Sequence, residues 1–193
     1  MGIIKKYFKD YIDVCNYNEE KIKEILNDKD MIKNEKKIRA CYTNALVLKC
    51  IVEEHGSFKK YVDSFKPKDS FENLLLFKEE IQYKFAFFGG ITSYHFMTDI
   101  GLPVLKPDRV ITRIFERIGL IEDREQKLKT VIQGQKISEK TGYPIRYVDI
   151  ILVNYGQLGK DDTFGLDDGI CLEKTPKCSI CGITEYCKHY QNQ

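Results

Sequence analysis

The sequence predicts an all-α protein, and three observations support this. Apolar residues recur at steps of three and four along most of the chain, which is the period of an amphipathic helix. Helix-capping residues stand where these periodic segments begin and end. Strand signals are poor, because the extended stretch PVL at 103–105 has only three residues.

The periodic segments are predicted to be helices joined by short connections. They run at about 3–16, 18–27, 37–54, 57–64, 70–86, 91–101, 108–119, 122–132, 134–140 and 144–158. The starts are marked by residues whose side chains accept hydrogen bonds from free backbone N–H groups, namely Asn18, Ser70 and Asp108. The ends are marked by glycines, namely Gly56, Gly101, Gly119 and Gly156. After Gly159 the pattern changes to a loop that leads into a group of cysteines.

Composition limits the classes of protein that fit. The chain has 193 residues, and no apolar run approaches the roughly 18 residues of a membrane span, so we expect no membrane partner. The N-terminus is amphipathic and lacks the pattern of a signal peptide, which favours a cytoplasmic protein. A net charge of +2 neither demonstrates nor excludes a nucleic-acid partner.

Four of the seven cysteines fall within CLEKTPKCSICGITEYC, residues 171–187. Cys171, Cys178, Cys181 and Cys187 are separated by six, two and five residues. The central CxxC lets one turn offer two sulfurs to the same site. A reducing cytoplasm favours metal binding over disulfides. Zinc usually takes two CxxC units and only one is present, so an iron–sulfur centre is favoured slightly over zinc, and a disulfide pair is the remaining alternative.

This cysteine spacing resembles the [4Fe–4S] loop of the endonuclease III and MutY branch of DNA glycosylases. The segment VDIILVNYGQ at 148–157 resembles the helix that precedes that loop. The resemblance implies a structural [4Fe–4S] cluster held by the four cysteines. It also implies that Lys174 and Lys177, between the first two ligands, contact DNA phosphate. The alternative for both lysines is ordinary solvated surface.

A second informative stretch is YKFAFFGGITSYHFMTDIGLPVLKPDRVITRIFERIGL, residues 83–120. Gly89 and Gly90 allow a tight turn and bring backbone N–H groups to the surface before a helix, which suits phosphate. A glycine pair alone equally fits an ordinary turn between helices. The stretch resembles the helix-hairpin-helix element and following aspartate of the HhH-GPD glycosylase superfamily, which implies DNA contacts from the hairpin residues and the next helix: Gly89, Gly90, Thr92, Ser93 and Arg109.

Asp108 occupies the position of that superfamily's catalytic aspartate, and its alternative role is simply a helix N-cap. The resemblance implies base excision repair, in which a damaged base flips out of double-stranded DNA and Asp108 stabilises the positive charge that develops on the sugar. Bifunctional relatives carry a lysine shortly after the hairpin turn. Here no lysine lies between Lys84 and Lys106, so we expect a monofunctional enzyme that leaves an abasic site.

The substrate is the least determined part of this interpretation. The segment KFAFFGGITSYHFM at 84–97 also resembles the 3-methyladenine DNA glycosylase I family, which favours an alkylated purine as the substrate. Other substrates remain open, namely uracil, mismatched thymine and the adenine that MutY excises. A bifunctional activity like that of endonuclease III also remains open. Tyr42, Tyr94 and His95 are the candidate base-pocket residues, because aromatic rings stack on an extruded base.

The resemblance also predicts how the chain is organised. One helical lobe, 36–130, would carry the hairpin and Asp108, and a second, 1–35 with 131–193, would carry the cluster loop, with DNA in the groove between them. We expect a monomer in the cytoplasm, associated with the nucleoid in a prokaryote. Two non-enzymatic alternatives are an iron–sulfur DNA-binding module and a helical scaffold cross-linked by zinc.

Overall fold

The computed structural model describes residues 2–159, 165 and 167–192. Over this part of the chain the regular structure is helical, without a strand, which confirms the all-α class. The helices are α1 (Gly2–Tyr7), α2 (Tyr11–Cys15), α3 (Glu19–Asn27), α4 (Glu35–His55), α5 (Phe58–Ser64), α6 (Phe71–Lys84), α7 (Gly90–Asp99), α8 (Arg109–Arg117), α9 (Lys127–Thr141), α10 (Ile145–Gly156) and α11 (Lys188–Gln191).

Two predicted boundaries are wrong, each for a local reason. The predicted helix 3–16 is interrupted, because Asp10 takes an extended conformation and its side chain accepts from Ile12 N at 2.8 Å to start α2. The predicted pair 122–132 and 134–140 is the single helix α9. Gly134 does not break α9 but allows close packing, since a Cβ there would stand 2.7 Å from Leu105 Cδ1.

The predicted caps are largely confirmed. The side chains of Asn18, Ser70 and Asp108 accept from backbone N–H groups at the starts of α3, α6 and α8. Three of the predicted end glycines, Gly56, Gly101 and Gly119, follow their helices and have positive φ. Gly156 is different: it is the last residue of α10, and a Cβ there would stand 2.6 Å from Val110 Cγ1. It is therefore required for contact between α10 and α8.

The chain divides into two compact units, Met1–Ser93 and Tyr94–Gln193. In the first unit α4 packs against α2, α3 and α5. One buried cluster of this unit consists of Tyr7, Ile22, Ile25, Met31 and Ile38. Aromatic rings of α5, α6 and the residues that follow each of these helices form a second group, Phe58, Tyr61, Phe65, Phe77 and Phe85.

In the second unit α8 is the central helix. It packs against α9, α10 and α11, and residues 111–115 are all buried. The core around it consists of Leu105, Ile111, Ile114, Phe115, Ile121, Ile145 and Val148. Because α8 is buried, it holds in place the segments that directly precede and follow it.

The lobes predicted at 36–130 and at 1–35 with 131–193 stay a prediction, since compact packing units and DNA-binding lobes are different divisions of a chain. Within the described residues, no helix is both long enough and apolar enough to cross a membrane.

Candidate active site and cysteine loop

Asp108 stands at the N-terminus of α8 with its carboxylate in two different environments. Oδ1 accepts hydrogen bonds from Val110 N at 2.9 Å and Ile111 N at 3.1 Å. Oδ2 lies 3.8 Å from Lys106 Nζ, and the side chain is 20% exposed. The N-cap role is therefore confirmed, and it engages only one of the two carboxylate oxygens.

The segment before Asp108 is held by a residue that the sequence analysis did not single out. Asp149 on α10 accepts from Lys106 N at 3.0 Å through Oδ1 and pairs with Arg146 at 2.6 Å through Oδ2. It is only 3% exposed. The signal in the sequence is a lone acid inside the apolar run VDIILV, but nothing in the sequence shows which backbone group it binds.

Burial raises the pKa of Asp149 above its ordinary value, because an apolar environment penalises the charged carboxylate. The Lys106 N–H and the Arg146 charge act in the opposite direction, and the nearby Asp108 adds to the increase. Asp149 is thus a second carboxyl group, close enough to Asp108 for the two charges to repel each other.

Two buried arginines connect α8 to the cysteine loop. Arg113 donates through Nη2 to the carbonyl oxygens of Gly156 and Cys171, the latter at 3.1 Å. Arg117 donates to Cys171 Sγ at 3.2 Å and to Leu172 O at 2.6 Å. Both guanidinium groups are buried, so they hold the loop against α8.

The four predicted ligands share one cavity. Cys171, Cys178, Cys181 and Cys187 all line a narrow space beside Arg117 and Pro176. Their neighbours include Tyr155, whose hydroxyl lies 3.1 Å from Cys181 Sγ. All seven cysteines lie in the described residues, and none of them is joined in a disulfide.

The four cysteines line the cavity but do not converge on one point. In the part of the chain that the structure describes, no group of three or more His, Cys, Asp and Glu side chains is already arranged around the position of a single ion. The donor set is nevertheless four thiols around one cavity, two of them delivered by the turn that begins at Cys178.

Arg109 and Lys174, both predicted DNA contacts, line one open cavity of about 510 Å³. Arg109 comes from the first turn of α8, and Lys174 comes from the loop between the first two cysteines. Glu173 also lines this cavity. Lys177 is placed differently, because its Nζ donates to Asp168 O at 3.2 Å.

The hairpin residues separate into exposed and buried sets. Gly89, Gly90 and Thr92 are exposed, and a Cβ on either glycine would meet nothing within 4 Å. Ser93 is fully buried, and its hydroxyl donates to Gly90 O at 3.2 Å. The backbone of the turn is therefore accessible to a ligand, whereas the Ser93 hydroxyl is already hydrogen-bonded within α7.

The candidate base-pocket residues have three distinct environments. Tyr94 is only 3% exposed, so its ring contributes to the core as the protein stands. His95, the next residue on α7, is exposed and lies 3.5 Å from Asp99. Tyr42 is half-buried against the apolar cluster of α1, α3 and α4.

Asn44 is a further residue that sequence reasoning missed. Its side chain on α4 accepts from Ala86 N at 2.8 Å and donates to Ala86 O at 3.0 Å, so it holds the turn between α6 and α7 from both sides. An asparagine among the apolar residues of NALVL is the only signal in the sequence.

Because the pKa of Asp149 is raised in the folded protein, its ionisation destabilises the fold as pH rises. An asparagine at this position would keep an acceptor for Lys106 N and cannot ionise. We therefore expect the unfolding free energy of wild type relative to Asp149→Asn to fall as pH rises from the ordinary aspartate pKa through the raised one, and then to level off. Urea unfolding over a pH series measures this.

Asp63→Asn, at an exposed position on α5, is the matched control and should show no comparable trend. A wild-type advantage that grows with pH would contradict the prediction, since it would mean that pairing with Arg146 outweighs burial.

Comparison with known proteins places the chain in a family. No solved structure matches the chain. The model of the methyladenine glycosylase family matches residues 4–106, which is 103 of the 193 residues, and the match ends two residues before Asp108. The chain therefore belongs to the methyladenine glycosylase family and is a DNA N-glycosylase, a hydrolase.

Proposed function

We propose that this protein is a monofunctional glycosylase that hydrolyses the N-glycosidic bond of a flipped alkylated purine, with 3-methyladenine favoured, and leaves an abasic site. The observation that carries the proposal is that the two carboxylate oxygens of Asp108 have different partners. Two backbone N–H groups hold one oxygen, and the other oxygen stands beside Lys106 at a partly exposed position.

This carboxylate suits the reaction. As the base leaves, the sugar gains oxocarbenium character and positive charge. Oδ2 of Asp108 supplies a fixed negative charge to stabilise it and can orient the attacking water. Because Oδ1 is held by Val110 N and Ile111 N, the carboxylate is already in place and needs no reorganisation during the reaction.

The lysine pattern favours hydrolysis without a lyase step. A bifunctional glycosylase attacks the sugar with an amine, and the comparable positions here are Thr92, Ser93 and Tyr94. The amine near Asp108 is Lys106 Nζ, which is ion-paired with the Asp108 carboxylate at 3.8 Å. Water activated at Asp108 remains as the attacking group.

We propose two sets of contacts to the phosphates of double-stranded DNA. Arg109 and Lys174 face a common cavity, where both cations can reach one phosphate. Gly89 and Gly90 expose backbone at the N-terminus of α7, where the first N–H groups of a helix lack intrahelical partners and attract anions. The protein acts as a monomer in this proposal.

We further propose that Cys171, Cys178, Cys181 and Cys187 hold a [4Fe–4S] cluster. The four cysteines that line one cavity would supply the four thiolates that such a cluster takes, whereas zinc sites usually take two CxxC units and this loop has one. When bound, the cluster supplies cross-links within the loop.

The charges beside the cavity support an anionic group. Arg113 and Arg117 are both buried, and buried charges require compensation. Burial lowers the pKa of Arg113, and the neighbouring Arg117 charge adds to that decrease. Glu173 lies 4.0 Å from Arg113 Nη1, and four thiolates would add negative charge beside Arg117, which already donates to Cys171 Sγ.

Two variants of Asp108 separate its catalytic role from its structural role. Asparagine retains the N-cap but lacks the charge, so Asp108→Asn should keep wild-type stability and DNA binding while losing base release by about 100-fold or more. Asp108→Ala should also lose base release, and in addition about 0.5–2 kcal/mol of unfolding free energy with the cap. Single-turnover base release and thermal unfolding measure the two effects.

Base release by Asp108→Asn at the wild-type rate would show that the proposed mechanism is wrong. Loss of DNA binding in Asp108→Asn would instead indicate that the aspartate acts before the chemical step.

Metal analysis tests the cofactor. Protein purified without oxygen should contain about four iron and four acid-labile sulfide ions per chain. Cys178→Ser should lose both and lower the Tm, whereas Cys50→Ser, at an exposed cysteine outside the loop, should change neither. Stoichiometric zinc without sulfide would refute the cluster and support the zinc alternative.

A further inference from the structure

The turn between α6 and α7 holds an aromatic residue in a conformation that aromatic residues rarely adopt. Phe87 has φ of +63°, in the left-handed region where a side chain meets the backbone carbonyl. A bulky residue there is an outlier, and such strain persists only where the surroundings enforce it. Glycine would take this conformation without strain, so the ring itself requires an explanation.

The surroundings of Phe87 do enforce it. On one side Asn44 binds both the N–H and the carbonyl of Ala86. Phe85 is buried against Phe58, with ring centroids 6.4 Å apart, and its ring lies 5.2 Å from that of Phe88. With its neighbours fixed in this way, the turn directs the Phe87 side chain outward, where it is 52% exposed.

The exposed ring stands next to the backbone that is proposed to bind phosphate. Gly89 and Gly90 follow two and three residues later, both exposed and without neighbours at their Cβ positions. A surface that fits closely against a DNA strand at these glycines would bring the Phe87 ring to the same strand. Apolar side chains presented in this way enter the base stack at a kinked step.

We propose that Phe87 is the wedge that enters the duplex where the damaged nucleotide leaves the stack. Extruding a nucleotide breaks stacking on both of its faces, and an aromatic ring in the gap restores part of that stacking. The contacts of Asn44 with Ala86 hold the backbone of the turn before DNA arrives, which lowers the ordering cost on binding. This inference rests on the proposed function, because it assumes a flipped nucleotide in double-stranded DNA.

The test compares duplex with single-stranded substrate. In a single strand there is little stack to restore, so a wedge matters only in the duplex. Phe87→Ala should release a methylated purine from duplex DNA roughly 10- to 100-fold more slowly than wild type, the range expected from stacking one base on an aromatic ring, and should release it from single-stranded DNA at nearly the wild-type rate.

Three further variants complete the set. Phe87→Leu should keep much of the duplex activity, because leucine also serves as a wedge. Phe87→Gly removes the ring and suits positive φ, so it should fold at least as well as wild type and still show the duplex defect. Tyr83→Ala, at an 89% exposed aromatic residue on α6, is the matched control and should behave as wild type.

A binding assay tests the wedge without relying on catalysis. A duplex with 2-aminopurine next to an abasic-site analogue should change fluorescence when wild type binds, and should change much less with Phe87→Gly at saturating protein. If wild type alters the fluorescence but releases no base from any duplex, the proposed function fails and the wedge stands. Equal losses of base release from duplex and single-stranded DNA would overturn the wedge. So would wild-type base release from duplex DNA by both Phe87→Ala and Phe87→Gly.

Discussion

The burial of α8 is the constraint on which the rest of the second unit depends. Five consecutive buried residues, 111–115, prevent this helix from rotating or sliding. Its N-terminus is closed by Asp108, and its far half presents Arg113 and Arg117 to the cysteine loop. The proposed catalytic carboxylate and the proposed cluster are thereby connected by one rigid element, and ligation at the loop would stabilise the position of the carboxylate.

The family match and the chemical groups lie in different parts of the chain. Residues 4–106 match the methyladenine glycosylase family, whereas Asp108 and the four loop cysteines follow that segment. The matched segment therefore supports an alkylated base as substrate, and the later segment carries the proposed catalytic aspartate and the proposed cluster ligands. Both requirements are compatible in one enzyme, because base recognition and stabilisation of the sugar charge involve different atoms of the substrate.

Local features were predictable from the sequence, and long-range pairings were not. The caps at Asn18, Ser70 and Asp108 depend on neighbouring residues only, so their positions were found from sequence. The contacts of Asp149 with Lys106 N and of Asn44 with Ala86 join residues about 40 positions apart, and each required the folded chain. The positive φ of Phe87 has no sequence signature at all.

The most direct test of the proposed activity is base release from a panel of duplexes by protein prepared without oxygen. The duplexes carry 3-methyladenine, uracil, mismatched thymine, adenine opposite oxidised guanine, or an oxidised pyrimidine, each scored with and without alkali. We predict strand breaks in the alkylated duplex, and only after alkali. Breaks without alkali would reveal a lyase step and direct attention to Lys106. No release at all, from protein that binds DNA and holds its full complement of metal, would contradict the proposed activity and favour a DNA-binding module.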